Sequence, residues 1–246
     1  MQINNKIPKT IHFCWLGKSE KPELVKKCIE SWKNKLPEYE VIEWNEYNFD
    51  FNNVNNYVKE ALERKRWAFV TDYMRLKVLY EYGGIYLDTD VEVIKSFDDF
   101  LNNDSFIGLE SLDTICTAVI GSKKNEEWIK ELLDLYDQRK FVIDNREDLL
   151  PNSKYIFSYL NTKYNIKNSN DVQIAINRLK VYPREYFSPK NYSTMQTNIT
   201  KNTYSIHYYG GMWKTNKEKV KDYFLAIVTR IIGEKNREKI KIKIKG

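Results

Sequence analysis

The sequence predicts a single α/β domain with a mainly parallel central sheet and a C-terminal helix. Three observations carry that prediction. The chain opens strand, helix, strand, the pattern of a parallel sheet with covering helices. A later apolar strand runs straight into Asp88-Thr89-Asp90, and in parallel sheets ligands gather at the carboxyl ends of strands. The length of 246 residues allows one large core and is short for two.

Residues 10–16 (TIHFCWL) are β-branched and aromatic, and Gly17 closes them as a first strand. Residues 22–34 form a helix, because Leu24, Val25, Cys28, Ile29 and Trp32 recur every three or four positions. Residues 39–44 (YEVIEW) are a second strand, and residues 52–56 an Asn-rich loop. A helix over 68–82 carries Phe69, Tyr73, Leu76 and Tyr80 on one stripe and ends at Gly83-Gly84, since glycine accepts the conformation found past a helix end. Strands follow at 85–87, 91–94, 105–109 and 114–121, then a helix at 125–138. Residues 139–170 are polar and give weak signals. Strands at 179–183 and 204–209 precede a last helix over 217–232 and the tail EKNREKIKIKIKG. The expected organisation is a catalytic domain over 1–216. Residues 217–246, a helix and basic tail, either pack on it or touch a membrane surface. The alternating KIKIKIK also reads as an edge strand guarded by lysine.

With 42% hydrophobic and 30% charged residues, the chain reads as folded and not disordered. The net charge of +6 is mild and concentrated near the end, and no basic stripe interleaved with aromatics runs through the body, which argues against nucleic acid as a partner. Cys14, Cys28 and Cys116 are widely spaced and form no CxxC pair, so neither a disulfide framework nor a zinc site is expected. No signal-peptide core and no spanning segment is read, and the expected location is the cytoplasm or the inner face of the plasma membrane.

The chemistry gathers around GGIYLDTDVEV. Residues i and i+2 of an extended segment point the same way, so Asp88 and Asp90 are expected to face one site. Two hard oxygen ligands suit Mg²⁺ or Mn²⁺, which also bind substrate phosphates. A turn aspartate pair is the alternative, but here the pair follows a buried strand. Asp72 and Arg75, three apart on the preceding helix, share a face off the apolar stripe. They read either as a surface ion pair or as a donor-binding pair. His12 and Trp15 lie on the first strand. Trp15 can stack on a base or pack in the core. His207, in SIHYYGGMW, is a candidate third ligand for a cation or a structural histidine, and Trp213 beside Gly210-Gly211 can close over a ligand. Glu110 ends the strand FIGL and is a candidate carboxylate at the reacting carbon, or a solvated loop acid.

The runs IPKTIHFCWLGK, IESWKNKLPEYEVIEWNE and WAFVTDYMRLKVLYEYGGIYLDTDVEV, with FIGLE, AVIGSKKNEEW, VYPREYFSP and SIHYYGGMW, resemble the DXD sugar-transferase family, glycosyltransferase family 32. The family includes yeast initiating α-mannosyltransferases and bacterial capsular-polysaccharide glycosyltransferases. More distantly, the layout is similar to the glucosyltransferase domains of large clostridial toxins. The resemblance implies a GT-A fold, a nucleotide-sugar donor, a divalent cation (Mn²⁺ or Mg²⁺) and retention of anomeric configuration. It implies Trp15 on the base, Asp72 and Arg75 at the ribose and sugar, Asp88 at the ribose or sugar hydroxyls, Asp90 and His207 on the metal, and Trp213 on the diphosphate; His12 and Tyr86 are further donor-binding candidates, and Asp88, Asp90 and Glu110 the catalytic ones. A UDP-sugar is the expected donor, with GDP-mannose second. The expected acceptor is a glycan or lipid-linked oligosaccharide of capsular or exopolysaccharide synthesis. Tyr208 and Gly211 stand where the toxins place metal ligands, Thr117 stands where relatives often carry Asn, and no TGP-like segment is found near Ser153. Two other functions fit less of the sequence: a toxin-like transferase acting on a protein side chain, and a non-enzymatic metal-dependent sugar-binding module.

Overall fold

Seven strands form the central sheet of the computed structural model, which describes residues 6–175, 178–211 and 215–233. In spatial order they are Glu40–Trp44 (β2), Thr10–Cys14 (β1), Gly84–Leu87 (β3), Ile115–Ser122 (β6), Ser105–Leu109 (β5), Leu179–Tyr182 (β10) and Gln173–Ile174 (β9). β1 pairs in parallel with β2 and β3, and β5 with β10. β6 runs antiparallel to both β3 and β5, and β9 antiparallel to β10. Five of the seven strands thus run the same way, as the sequence predicts for a mainly parallel sheet, with β6 reversed at the centre and β9 at the edge. Nothing in residues 115–122 marks that reversal, because all eight are buried and read as one continuous run.

Side chains alternate across the sheet with period two. On β3, Ile85 and Leu87 enter a core with Ile11, Phe13, Phe106 and Val119. Tyr86 points the other way, into a core with Ile107, Ile120, Leu179 and Val181. The first core is covered by helix Glu23–Lys35 (α1), whose Trp32 is fully buried. The second is covered by Asn56–Glu63 (α2), Trp67–Tyr82 (α3), Glu127–Asp137 (α4) and Asn152–Tyr164 (α5). A four-residue helix, Arg184–Phe187 (α6), buries Phe187 in the first core. The last helix is Asn216–Ile232 (α7).

Two helices lie where the sequence reads as loop or as weak signal. α2 starts just past the Asn-rich stretch because Asn55 caps it, its side-chain oxygen accepting from the Val58 N–H at 3.1 Å. α5 is polar in composition and buries only Asn152, Ile156 and Leu160, every fourth residue. A small hairpin, Val142–Ile143 (β7) with Arg146–Glu147 (β8), falls in the same weak region.

α3 departs from its expected stripe. It is buried at Val70, Tyr73, Met74, Arg75, Leu76, Val78 and Leu79, because α2, α4 and the sheet enclose it. Gly83 ends it at φ 68°, and Gly84 follows at φ 103°. A Cβ on Gly84 would lie 2.7 Å from the Thr10 carbonyl oxygen and 2.9 Å from His12 Nε2, so only glycine lets β3 pair this closely with β1.

A second, two-stranded sheet positions the site. Val91–Val93 (β4) pairs antiparallel with Ser205–His207 (β11), with Val91 opposite His207. α1 holds β4 in place, since the Trp32 indole donates to the Val91 carbonyl at 2.7 Å and Ser31 Oγ accepts from the Val93 N–H at 2.9 Å. The basic tail and the KIKIKIK run lie outside the described residues. Among the described residues, no helix is long and apolar enough to cross a membrane.

Candidate active site

Asp88 and Asp90 leave β3 in a turn and not in the extended segment that the spacing suggests. The Val91 N–H donates back to the Asp88 carbonyl at 3.0 Å, and the Asp88 N–H donates to Ala118 of β6 at 2.9 Å. The turn still brings both carboxylates to one place. β11 delivers His207 beside them, and ligand atoms of Asp88, Asp90 and His207 lie within 4.8 Å of one another. Two further bonds lock this corner: the Tyr208 N–H donates to the Asp90 carbonyl at 3.0 Å, and the Gly210 N–H to Asp90 Oδ2 at 2.7 Å.

The His207 ring bridges two acids. Its Nε2 is 3.4 Å from Asp90 Oδ1, and its Nδ1 is 3.2 Å from Glu110 Oε1. The Tyr209 ring lies 4.2 Å away, centroid to centroid. Glu110 is therefore at the site and not a solvated loop acid; its side chain is 15% exposed. Burial works against a charged imidazole, but Asp90 and Glu110 outweigh it and raise the His207 pKa to about 10. Burial likewise opposes ionisation of Asp90, and His207 with the Gly210 N–H overcomes it, holding the carboxyl below its usual range.

Arg75 organises the other side. It is 4% exposed, so it is neither a surface ion pair nor open to a phosphate. Its Nη2 lies 3.0 Å from Asp72 and 3.3 Å from Asp88, and its Nη1 donates to the Thr117 carbonyl at 2.7 Å. The guanidinium sits 4.9 Å from the Tyr86 ring centroid. Two carboxylates thus share one guanidinium. Burial raises the Asp72 pKa to about 6, and it raises that of Asp88 as well. Tyr86 is 2% exposed and supports Arg75 and Asp88 from within the core, where a donor does not reach it.

His12 is fully buried and joins three elements. Its Nε2 bonds the Gly83 carbonyl at 2.8 Å, and its Nδ1 accepts from the Trp44 indole at 3.1 Å. Both ring nitrogens are taken, and burial lowers its pKa to about 4, so it is a neutral strut and offers no free nitrogen to a ligand. Trp15 is half-buried, its indole N–H donating to the Ser19 carbonyl at 2.8 Å. Trp213 lies outside the described residues.

A polar cluster behind Asp72 has no signal in the sequence. Arg139 is enclosed by the rings of Tyr57, Tyr136 and Tyr155 at 4.6, 5.0 and 4.2 Å and bonds Asp148 at 2.7 Å. Asn152 accepts from the Tyr136 hydroxyl at 3.0 Å. Two buried donors here, Arg139 Nη1 and Asn152 Nδ2, have no hydrogen-bond acceptor among the described residues, and neither does Arg75 Nε. A run of tyrosines at 57, 136 and 155 around one arginine has no sequence periodicity that could have revealed it.

The donor set fits a divalent cation. Asp72, Asp88, Asp90 and Glu110 bring four carboxylates against one guanidinium and one imidazole, so the pocket is short of positive charge. Two carboxylate oxygens suit Mn²⁺ or Mg²⁺, and His207 adds an imidazole nitrogen only when the cation displaces the Nε2 proton that it shares with Asp90.

Residues 22–107 match the family model described as "Glycosyltransferase sugar-binding region containing DXD motif". The chain is 28% identical over 217 residues to "Uncharacterized glycosyltransferase L373" of Acanthamoeba polyphaga mimivirus, covering 81% of this chain and 83% of that protein. It is 26% identical over 175 residues to "Subversion of eukaryotic traffic protein A" of Legionella pneumophila, covering 58% of this chain and 27% of that one. It is 27% identical over 130 residues to "Inositol phosphoceramide mannosyltransferase 3" of Schizosaccharomyces pombe, covering 52% and 36%. The chain thus spans about a quarter of the Legionella protein and about a third of the yeast one. The matched region holds the helix of Asp72 and Arg75 and the turn of Asp88 and Asp90, and over that third of the chain the protein is similar to DXD glycosyltransferases.

Proposed function

We propose that this chain is a retaining, metal-dependent glycosyltransferase that moves a hexose or N-acetylhexosamine from a UDP-sugar to a glycan or lipid-linked oligosaccharide. The observation that carries the proposal is the meeting of Asp88, Asp90 and His207 at the carboxyl end of β3. Those three residues would hold the cation, Mn²⁺ or Mg²⁺, which when bound neutralises charge developing on a diphosphate leaving group.

The protein's own groups divide the remaining work. Asp90 is pre-set in its charged form by the Gly210 N–H. His207 turns Nε2 toward Asp90 and Nδ1 toward Glu110, the arrangement in which a carboxylate fixes the tautomer and direction of a ligating histidine. Glu110, expected as a carboxylate at the reacting carbon, serves here as the residue that orients His207. Arg75 holds Asp88 at the angle the turn requires and keeps Asp72 beside it, leaving both carboxylates to accept hydroxyls of the sugar or ribose. Trp15 stacks on the base. Resemblance to bacterial members and toxins favours UDP. The name of the yeast relative keeps GDP-mannose as the second donor to test. A place in capsular or exopolysaccharide synthesis, at the cytoplasmic face, follows from the same resemblance.

A screen of UDP- and GDP-sugars for hydrolysis, with Mn²⁺, Mg²⁺ or chelator, tests this without knowledge of the acceptor. One UDP-sugar should be cleaved with metal and spared with chelator. Metal-independent cleavage, or thermal stabilisation by free sugar but by no nucleotide, would overturn the proposal.

A further inference from the structure

α7 is amphipathic in an inverted sense, with apolar side chains on the side away from the domain. Inward, it buries Ala226 and Thr229. Arg230 ties it to the loop after α6, its Nε donating to the Thr194 carbonyl at 2.7 Å. Outward stand Val220, Tyr223, Phe224, Ile227 and Ile231, exposed between 37% and 79%. At 3.6 residues per turn these five fall within an arc of about 100°. The helix forms on its own terms: Thr215 and Glu218 make a capping box at its start, and Gly233 stops it at φ 79°.

Five large apolar side chains in one stripe on a helix are costly in water, and such a patch marks an interaction surface. Charge identifies the partner. Lys217 and Lys221 flank the stripe on one edge and Arg230 lies on the other. In the sequence that follows, residues 234–246 add six Lys or Arg against two Glu. An apolar arc bordered by cations fits the boundary between acyl chains and anionic headgroups, where basic residues gain from the surface potential and apolar ones from burial. A protein groove lined with acids would need a fixed shape complement; a lipid surface needs only this composition.

We propose that α7 lies in the plane of an anionic membrane, with the Val220–Phe224–Ile227–Ile231 stripe in the interface. The loop it rests on leads to the site. Thr194 meets Arg230, Tyr192 packs 5.2 Å from the Tyr209 ring, and Tyr209 packs 4.2 Å from His207. A helix seated on lipid would therefore set the rim of the site beside the surface. The inference does not depend on the transfer reaction, and its test measures no turnover.

The test is sedimentation of the full chain with phosphatidylcholine vesicles, with and without 30% phosphatidylglycerol, at low and high salt. The wild type should pellet with the anionic vesicles at low salt and be released at high salt. Phe224→Asp/Ile231→Asp changes two exposed side chains, so its melting temperature should hold while its vesicle affinity drops at least about tenfold, as two apolar anchors are lost. Lys217→Glu/Lys221→Glu keeps the apolar stripe and should also weaken binding, which preserves the test if the first variant folds poorly. Wild-type protein left in the supernatant overturns the proposal. So does equal pelleting of wild type and both variants, which would assign binding to the tail alone. A dimer seen by light scattering without lipid and lost in Phe224→Asp/Ile231→Asp would make the stripe a contact between copies and overturn it as well.

Discussion

The two halves of the site are built differently. The Arg75 half belongs to the core: a helix enclosed on several sides, a guanidinium shared by Asp72 and Asp88, and an aromatic ring beneath. The His207 half belongs to a rim, made where a short pair of strands turns into the Tyr208–Gly211 stretch. The first half can only be disturbed at the expense of the fold. The second can lose a side chain and leave the fold standing. Stability experiments should therefore report on one half and metal or substrate binding on the other.

The largest expected effect follows from breaking the buried half. Arg75→Ala leaves Asp72 and Asp88 without their shared cation, and removing one partner of a buried ionic group costs about 3–5 kcal/mol. Urea unfolding measures this directly. A loss under about 1 kcal/mol would show the triad to be solvated and the contrast between the halves false.

A pH series sharpens the same point. Burial lifts the Asp72 pKa to about 6 from an ordinary 3.8. The folded state then holds its proton over a range where the unfolded chain has released it. Below about pH 4 both states are protonated and Asp72 costs nothing; as pH rises through 6 the folded state must accept a buried charge, and stability falls. Wild type measured against Asp72→Asn should therefore lose ground between pH 4 and pH 7, by at most about 3 kcal/mol. A gain with rising pH would mean that Arg75 dominates burial at this carboxyl.

Glu110→Gln addresses the rim. Groups that orient a ligating histidine are worth about 10–100-fold in metal affinity. Metal affinity should drop by that factor, with a loss of stability well below that of Arg75→Ala, because His207 keeps its pairing with Asp90. Comparable loss of stability would place Glu110 with the core.

These contrasts explain what was legible in the sequence. Asp88 and Asp90 could be found because an apolar strand ends in them and chain direction puts them at a sheet edge. Arg75 could be found as a partner of Asp72 from spacing, but its burial could not. Helical periodicity places it off the stripe, and only the packing of α3 on the sheet, where Arg75 meets Tyr86, Asp88 and the Thr117 carbonyl, turns that flank inward. His207 was a candidate by residue type, yet the pairing of β4 with β11, more than a hundred residues apart, is what brings it to Asp90. Arg139 and Asn152 were invisible, since they sit in a segment whose helix buries one residue in four and so carries little periodic signal. Tyr86 and His12 are donor-binding candidates in the sequence, but the alternation of the strands sends both into the interior.

The smallest structural disturbance isolates the cation site. Asp90→Asn keeps the shape and can still accept from the Gly210 N–H, but removes the charge that a cation needs. Mn²⁺ should be titrated calorimetrically, with UDP present, into wild type and this variant at matched melting temperatures. The wild type should bind one Mn²⁺, and the variant should bind it at least about 100-fold more weakly, the loss of a charged ligand from a hard-cation site. Equal Mn²⁺ affinity in the two proteins would contradict a cation site at Asp90.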